Sequence, residues 1–347
     1  VMIVAGKNFK KIDYILAAVK AGLNVYADKP LVINAEGFDK LKQAFKIAKE
    51  NKVLIYDIMT ERFESTSAMQ KLFSTLPEVF GELKDGTPTE PAISKESVHH
   101  FFKFVSGSAL VRPAWFFDVE EEGEGIVDVT THLVDLVQWD AFPDQIIDST
   151  DIDIISAKKW PTVLSPEEFE KVTGLSTFPD YLNKDIDNEK LKVYSNGEMV
   201  YKIKGKYAKV SVIWNFQAPE GTGDTHYSIM RGTKCDLIIK QGKDENYKPI
   251  LYLESMGGKG FEADLKKALE TDIAQKFPGT TAEKLSDTLW KINIPEKFKV
   301  GHEAHFGQVT QNYLKYLGGE ELPAWEVPNM ITKYYTTTKA QKMAIKE

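Results

Sequence analysis

The sequence predicts an α/β unit followed by an α+β unit: part of a parallel sheet covered by helices, then a large, mostly antiparallel open sheet. Three observations carry this. From Val1 to Tyr56, short apolar runs alternate with amphipathic stretches in the order strand, helix, strand, helix, strand, the signature of βαβ units. A segment rich in Pro, Gly, Thr and Ser, Asp85 to Ser97, then marks a crossing between domains. Beyond it, strand-like runs recur between turn residues, as in an antiparallel sheet.

Taken in order, Val1–Ala5 reads as a buried strand, turned by Gly6-Lys7-Asn8. From Lys11 to Ala21, Ile12, Ile15, Leu16 and Val19 form the stripe of an amphipathic helix, and Gly22 stops it where a left-handed residue is wanted. Leu23–Ala27 is a second strand. A helix over Ala35–Glu50 buries Phe38, Leu41, Phe45 and Ala48, and Val53–Tyr56 is a third strand. A chain that opens in mid-sheet is read as lacking an N-terminal portion.

In the second unit one buried helix is expected over Ile126–Trp139. Strands are expected over 151–155, 191–194, 199–203, 208–214, 226–231, 236–239 and 250–253, with Asn196-Gly197 and Gly221–Gly223 as turns. In the insertion Lys158–Lys190, Ser165-Pro166-Glu167-Glu168 reads as a capping box that opens a helix ended by Gly174. Helices are expected over 261–275, 281–292 and 302–317, and a last one from Asn329.

Composition bounds the function. The chain has 347 residues, 42% of them apolar, and a formal net charge of −7. An acidic balance argues against nucleic acid or an anionic membrane as partner. A single cysteine, Cys235, excludes a disulfide framework and a thiolate metal cluster. No apolar run approaches the ~18 residues of a membrane span, and no signal peptide is visible. A cytoplasmic location is favoured, with export to a periplasm left open because the N-terminus is read as missing.

The segment Gly123 to Trp139 carries the chemistry. Read as a helix it is apolar nearly all round, yet Asp128, Thr131, His132 and Asp135 fall at i, i+3, i+4 and i+7. Burying such groups is costly unless they are paired or face a cavity. One reading is a satisfied Asp–His pair bracing the domain junction; the other, favoured by the stripe, is a site in which an Asp one turn from a His orients it for acid–base work. The second segment is Ala27-Asp28-Lys29-Pro30, directly after the second parallel strand, where ligands bind in open sheets. By spacing alone it would read as a solvated loop lysine.

The order A-G-L-N-V-Y-A-D-K-P, then G-E-G-I-V-D-V-T-T-H-L-V-D-L-V-Q-W, resembles the glucose–fructose oxidoreductase / inositol dehydrogenase (Gfo/Idh/MocA) family, whose patterns are A-G-K-x-V-x-x-E-K-P and G-G-G-x-x-x-D-x-G-x-H-x-x-D. The resemblance runs the length of the chain. It implies an NAD- or NADP-dependent oxidoreductase moving hydride between the nicotinamide and a sugar, polyol or related carbohydrate. By the same resemblance, residues 1–85 are the C-terminal half of a Rossmann domain. Residues 86–328 become a substrate and oligomerisation domain with an open sheet that joins copies of the chain, and 329–347 a C-terminal helix returning to the first domain.

Carried over by motif, Lys29, Asp128 and His132 are the catalytic residues: Lys29 binds the substrate hydroxyl, His132 accepts its proton, and Asp128 is the acidic partner. Ala5, Gly6, Asn8, Asp28, Lys29 and Pro30 contact the cofactor. Asp135 supports His132 in preference to touching substrate. Arg62 and Trp115 are further substrate candidates, as is His226, for which a structural role is the favoured reading. Arg112 and Phe116 beside Trp115 suit an aromatic platform for a sugar ring or, equally, core packing. The chain departs from the family at several points. Asp28 replaces Glu, Glu124 and Thr130 replace glycines, Lys7 replaces a Pro, and the usual helix His is missing. No G-x-G-x-x-G occurs, and Gly257-Gly258-Lys259-Gly260 has the wrong spacing. The resemblance therefore places three further strands before Val1, ~80–100 residues.

Other histidines read as structural: His302-Glu303-Ala304-His305 is one residue short of H-E-x-x-H, and His99-His100 point to opposite faces of a strand. No metal is expected. Two alternatives stand beside the dehydrogenase: a glycoside hydrolase of the same family using bound NAD, and a non-catalytic carbohydrate-binding protein.

Overall fold

The structure, a computed structural model, describes residues 1–105, 107–258 and 260–347; Lys259 of the glycine run lies outside them. Its first unit is a small parallel sheet of β1 (Met2–Val4), β2 (Val25–Asp28) and β3 (Ile55–Ile58), in the order β1-β2-β3. Helix α1 (Lys11–Lys20) buries Ile12, Ile15, Ala18 and Val19, and Gly22 follows at φ 73°. Helix α2 (Ala35–Asn51) starts at Asn34, whose side chain accepts from the Gly37 amide. The expectation that β1 is buried fails at Ile3, which is 72% exposed: among the described residues β1 lies at the sheet edge and pairs with β2 alone.

Helix α3 (Ser65–Ser74) was not anticipated; Glu64 caps it by accepting from the amides of Thr66 and Ser67. Asp85–Ser97 is only partly a crossing, since β4 (Ile93–Phe102) begins inside it. A two-residue pair, β5 (Phe104–Val105) and β6 (Ser108–Ala109), precedes α4 (Val119–Glu122) and α5 (Thr130–Ala141). Then follow β7 (Ile152–Leu164), α6 (Pro166–Thr173), β8 (Ile186–Asp187), β9 (Lys190–Ile203), β10 (Lys206–Gln217), β11 (Thr225–Arg231), β12 (Cys235–Gln241) and β13 (Ile250–Ser255). The chain ends through α7 (Phe261–Glu270), α8 (Asp272–Lys276), β14 (Thr281–Lys284), β15 (Leu289–Asn293), α9 (His302–Leu317), α10 (Glu326–Met343) and β16 (Ile345–Lys346).

Among the described residues the large sheet has eleven strands in the order β14-β15-β13-β12-β11-β4-β10-β9-β7-β16, with β8 beside β9. Its pairs are antiparallel except β4 with β10 and β7 with β16. Ser165 forms the expected capping box with Glu168, and Gly174 ends α6 at φ 76°.

Two expectations are overturned. Asn196-Gly197 is no turn but lies inside β9. The Asn196 amide donates to the Trp160 carbonyl at 3.0 Å and its oxygen accepts from the Trp214 amide at 2.6 Å, bridging an irregularity in the β7–β9 pairing. The expected helix over 281–292 is the β14–β15 hairpin: Ser286 turns the chain, and Trp290 and Ile292 alternate into the core with the period of a strand.

Two cores form. One lies between the large sheet and α3 and α5, and takes in Met69 and Phe73, which fall inside the expected first domain. The other surrounds the small sheet and recruits Val309, Tyr313, Met330 and Tyr334 from α9 and α10. Helix α9 thus leaves the expected 86–328 unit, because Tyr313 stacks on Tyr26 of β2 with ring centroids 4.7 Å apart. Helix α10 packs against α2, α5 and β7, tying the two cores together. No helix among the described residues is long and apolar enough to cross a membrane.

Candidate active site

β2 delivers Asp28 and Lys29 at its carboxyl end, where the Lys29–Pro30 peptide is cis. Lys29 Nζ donates to Asp128 Oδ1 at 2.5 Å, joining the first unit to the segment before α5. Burial works against the Lys29 ammonium, yet the Asp128 charge and hydrogen bond outweigh it and hold its pKa above the ordinary value.

Asp128 reaches this position because α5 starts later than the sequence suggests. Residues 124–128 form a turn in which the Val127 and Asp128 amides donate to the Glu124 carbonyl, and Thr130, at the first position of the helix, donates its hydroxyl to the Gly125 carbonyl at 2.9 Å. The turn lies flat on β9: the Gly125 amide donates to the Tyr194 carbonyl, and a Cβ at Gly125 would sit 1.8 Å from the Ser195 oxygen. Opposite, a Cβ at Gly197 would lie 2.6 Å from that of Ile126. The two departures from glycine here are structural: Thr130 secures the turn, and Glu124 accepts from Lys159 at 2.7 Å and Gln341 at 3.1 Å.

His132 follows one turn into α5, half-buried, its Nδ1 buried without a hydrogen-bond partner. Burial, reinforced by the Lys29 charge, pushes its pKa well below the ordinary range, so the ring is neutral. The expected Asp128–His132 pairing is not made; Asp128 is taken by Lys29. Asp135 does not support His132 by a hydrogen bond either. It accepts from Arg62 Nε and Nη2, both at 2.6 Å, and from Lys333 at 2.8 Å. Arg62 also grips Glu326 at 2.9 Å, and Lys333 reaches Asp57 at 2.7 Å. Arg62 and Asp135 are therefore the centre of a buried network between α5, α10 and the small sheet.

Among the expected cofactor contacts, Ala5 and Gly6 are exposed at the carboxyl end of β1, and nothing lies within 4 Å of a Cβ built on Gly6 at φ +88°. Asp28 and Pro30 sit beside Lys29. Asn8 is buried, and its side chain donates to the Glu122 carbonyl at 2.6 Å. That hydrogen bond clasps the β1–α1 turn to α4.

Trp115 lies beside that turn, with the Lys7 ammonium 5.9 Å from its ring. The aromatic row on the sheet centres on Trp214, stacked with His99 at 4.9 Å and Phe101 at 5.0 Å, and takes in two of the expected platform residues: Phe116 lies 5.9 Å from Trp214, and the Arg112 guanidinium is 4.6 Å from the Phe116 ring and 5.1 Å from that of Trp214. His226 pairs with Ser97 across β11 and β4; burial and the Lys95 charge push its pKa down to about 3.

Three groups escaped sequence reasoning. Burial, with the neighbouring Asp128 charge, lifts Glu122 to about 8, and burial with Glu64 lifts Glu61 to about 7. Glu122 ends the run Glu120-Glu121-Glu122, which reads as a solvated face. Lys11 lies beneath Lys29, and the only signal for it is a lysine on the apolar stripe of α1.

Comparison with known proteins shows the family and fold that the chain shares. Residues 69–345 match the family described as "Putative oxidoreductase C terminal domain". A crystal structure of a "putative oxidoreductase" from Parabacteroides merdae is 55% identical; the alignment covers 99% of this chain and 79% of that one, with a TM-score of 0.97. A structure described as a "putative oxidoreductase" from Erwinia carotovora atroseptica is 12% identical over 99% and 79% of the two chains at a TM-score of 0.61. KijD10, a 3-ketoreductase from Actinomadura kijaniata solved with NADP and TDP-benzene, is 11% identical over 99% and 78% at a TM-score of 0.58. The last two share the fold alone. No curated protein matches the chain.

Proposed function

We propose, for a chain that belongs to the family of putative oxidoreductase C-terminal domains, an oxidoreductase of the Gfo/Idh/MocA type. It would transfer hydride between NAD or NADP and a hydroxyl of a sugar, polyol or related carbohydrate. The observation that carries this reading is the Lys29–Asp128 contact across the junction, next to a neutral His132 whose Nδ1 is buried and orphaned. KijD10, which shares the fold, was solved with NADP.

The residues present suit the nicotinamide end of such a cofactor. Nothing lies within 4 Å of a Cβ built on Gly6, which leaves room for a group close to the backbone, and Asp28, Lys29 and Pro30 stand at the carboxyl end of the neighbouring strand β2. Bound there, the nicotinamide would take or give the hydride at the reacting carbon. Lys29 hydrogen-bonds the hydroxyl oxygen and stabilises the negative charge that grows as the proton leaves. That help lets a weakly basic imidazole suffice: neutral His132 accepts the proton in oxidation and returns it in reduction. Asp128 keeps the Lys29 ammonium charged and aimed. The exposed sheet face bearing Tyr227, Lys240 and Glu254 is the surface through which copies of the chain would associate.

Fluorescence titration with NADH and NADPH tests the reading, with Lys29→Ala as control. Saturable binding weakened by the substitution is expected. Absence of binding to either nucleotide would overturn it.

A further inference from the structure

Lys11 is a lysine in a place that suits an aliphatic side chain. It lies on the buried stripe of α1 with Ile12, Ile15, Ala18 and Val19, and is 1% exposed. Among the described residues no carboxylate lies within ion-pair distance of it. Burial pushes its ammonium down to about 8, against the attraction of Asp28, Glu122 and Asp128 and with the repulsion of Lys29. A hydrophobic side chain would avoid that desolvation cost.

What Lys11 does with its donors is specific. Nζ donates to the Asp28 carbonyl at 2.9 Å and to the Lys29 carbonyl at 3.4 Å. These two carbonyls belong to the peptide units immediately before and after the Lys29 Cα. Peptide units are planar, so a residue has only two soft backbone angles. Holding both planes therefore holds both angles, and with them the direction of the Lys29 Cα–Cβ bond. Few buried side chains other than lysine or arginine carry enough donors and reach to do this.

We propose that Lys11 is a positioning residue for Lys29: by bonding the carbonyls of Asp28 and Lys29 it fixes the backbone on either side of the Lys29 Cα and aims the Lys29 ammonium at Asp128. The contribution to catalysis rests on the function proposed above; the positioning does not, and the two are separable by experiment.

The test uses amine acetylation at pH 7 followed by peptide mapping, with Lys20, exposed at the end of the same helix, as internal reference. In the wild type Lys29 should react slowly, held by Asp128. In Lys11→Met its rate relative to Lys20 should rise about tenfold, the scale of one lost charge-assisted hydrogen bond. Lys11→Arg, which keeps two donors, should stay near wild type. If Lys11→Met fails to fold, Lys11→Gln, too short to span both carbonyls, should give the same rise. A relative rate within twofold of wild type in the folded Met or Gln variant overturns the proposal. Once a substrate is found, kcat should fall in Lys11→Met and recover in Lys11→Arg, with KM for the nucleotide unchanged; a rise in KM with kcat unchanged also overturns the role. Failure to find any nicotinamide-linked turnover would sink the proposed function, while the acetylation result still decides the role of Lys11.

Discussion

Lys29 and Asp128, 99 positions apart in sequence, meet at 2.5 Å where the carboxyl end of β2 faces the turn that precedes α5. The contact joins the first unit to the segment before α5 and leaves the Lys29 cation close enough for its charge to act on His132.

If these groups act as proposed, Lys29→Ala and His132→Ala should each lower turnover by ~10²–10⁴, as removal of a positioned acid–base or electrostatic group does. Steady-state kinetics with NAD(P)-linked sugar or polyol oxidation is the measurement. Rates near wild type in both variants would remove the assignment.

The pH profile should be unusual for a histidine-assisted reaction. Because burial and Lys29 hold the His132 pKa well below the ordinary value, loss of activity on acidification should begin below the usual imidazole range of about 6.5. Glu61 and Glu122, raised by burial to about 7 and about 8, should produce the inflections between pH 6 and 9 instead. Glu122→Gln should erase the one near pH 8; an unchanged profile in that variant would count against it.

The Arg62–Asp135–Lys333–Asp57 network predicts a stability effect without a direct catalytic one. Lys333→Met leaves Asp57 and Asp135 buried with one partner fewer, and should cost about 3–5 kcal/mol in urea unfolding. Arg62 and Lys333 overcome burial to hold Asp135 well below the ordinary carboxylate range. A depressed folded-state pKa stabilises above the unfolded value of about 3.9, and that stability is lost as pH falls from there through the folded value. The wild type should therefore keep this contribution at pH 5, and lose it only in strong acid.

Glycines separate close approach from mere flexibility. Gly125→Ala would drive a Cβ into the Ser195 carbonyl, and should cost about 3 kcal/mol or more. Gly307, inside α9 with nothing within 4 Å of a Cβ, should gain about 0.5–1 kcal/mol on substitution by Ala. Paired denaturation midpoints check both.

The sequence by itself determined the elements whose signals are local. The stripe of α1 with Gly22, the capping box of α6 and the runs of the small sheet were all legible because periodicity and caps act within a few residues. It also singled out Asp128 and His132, since polar groups at helical spacing on an apolar segment stand out, whereas Lys29, a loop lysine by spacing, came from the family resemblance alone. What only the tertiary structure decided is how those groups pair. Asp128 turns from His132 to Lys29, Asp135 from His132 to Arg62 and Lys333, and Asn8 to the Glu122 carbonyl, because each buried polar group takes the partner that distant strands and helices bring within reach. The same holds for Asn196-Gly197, a turn by composition. It became strand because Trp160 and Trp214 supply its hydrogen bonds and Ile126 fills the space above its glycine. Hydrogen bonding and packing between residues far apart in the chain leave no local trace, and they set the geometry of this site.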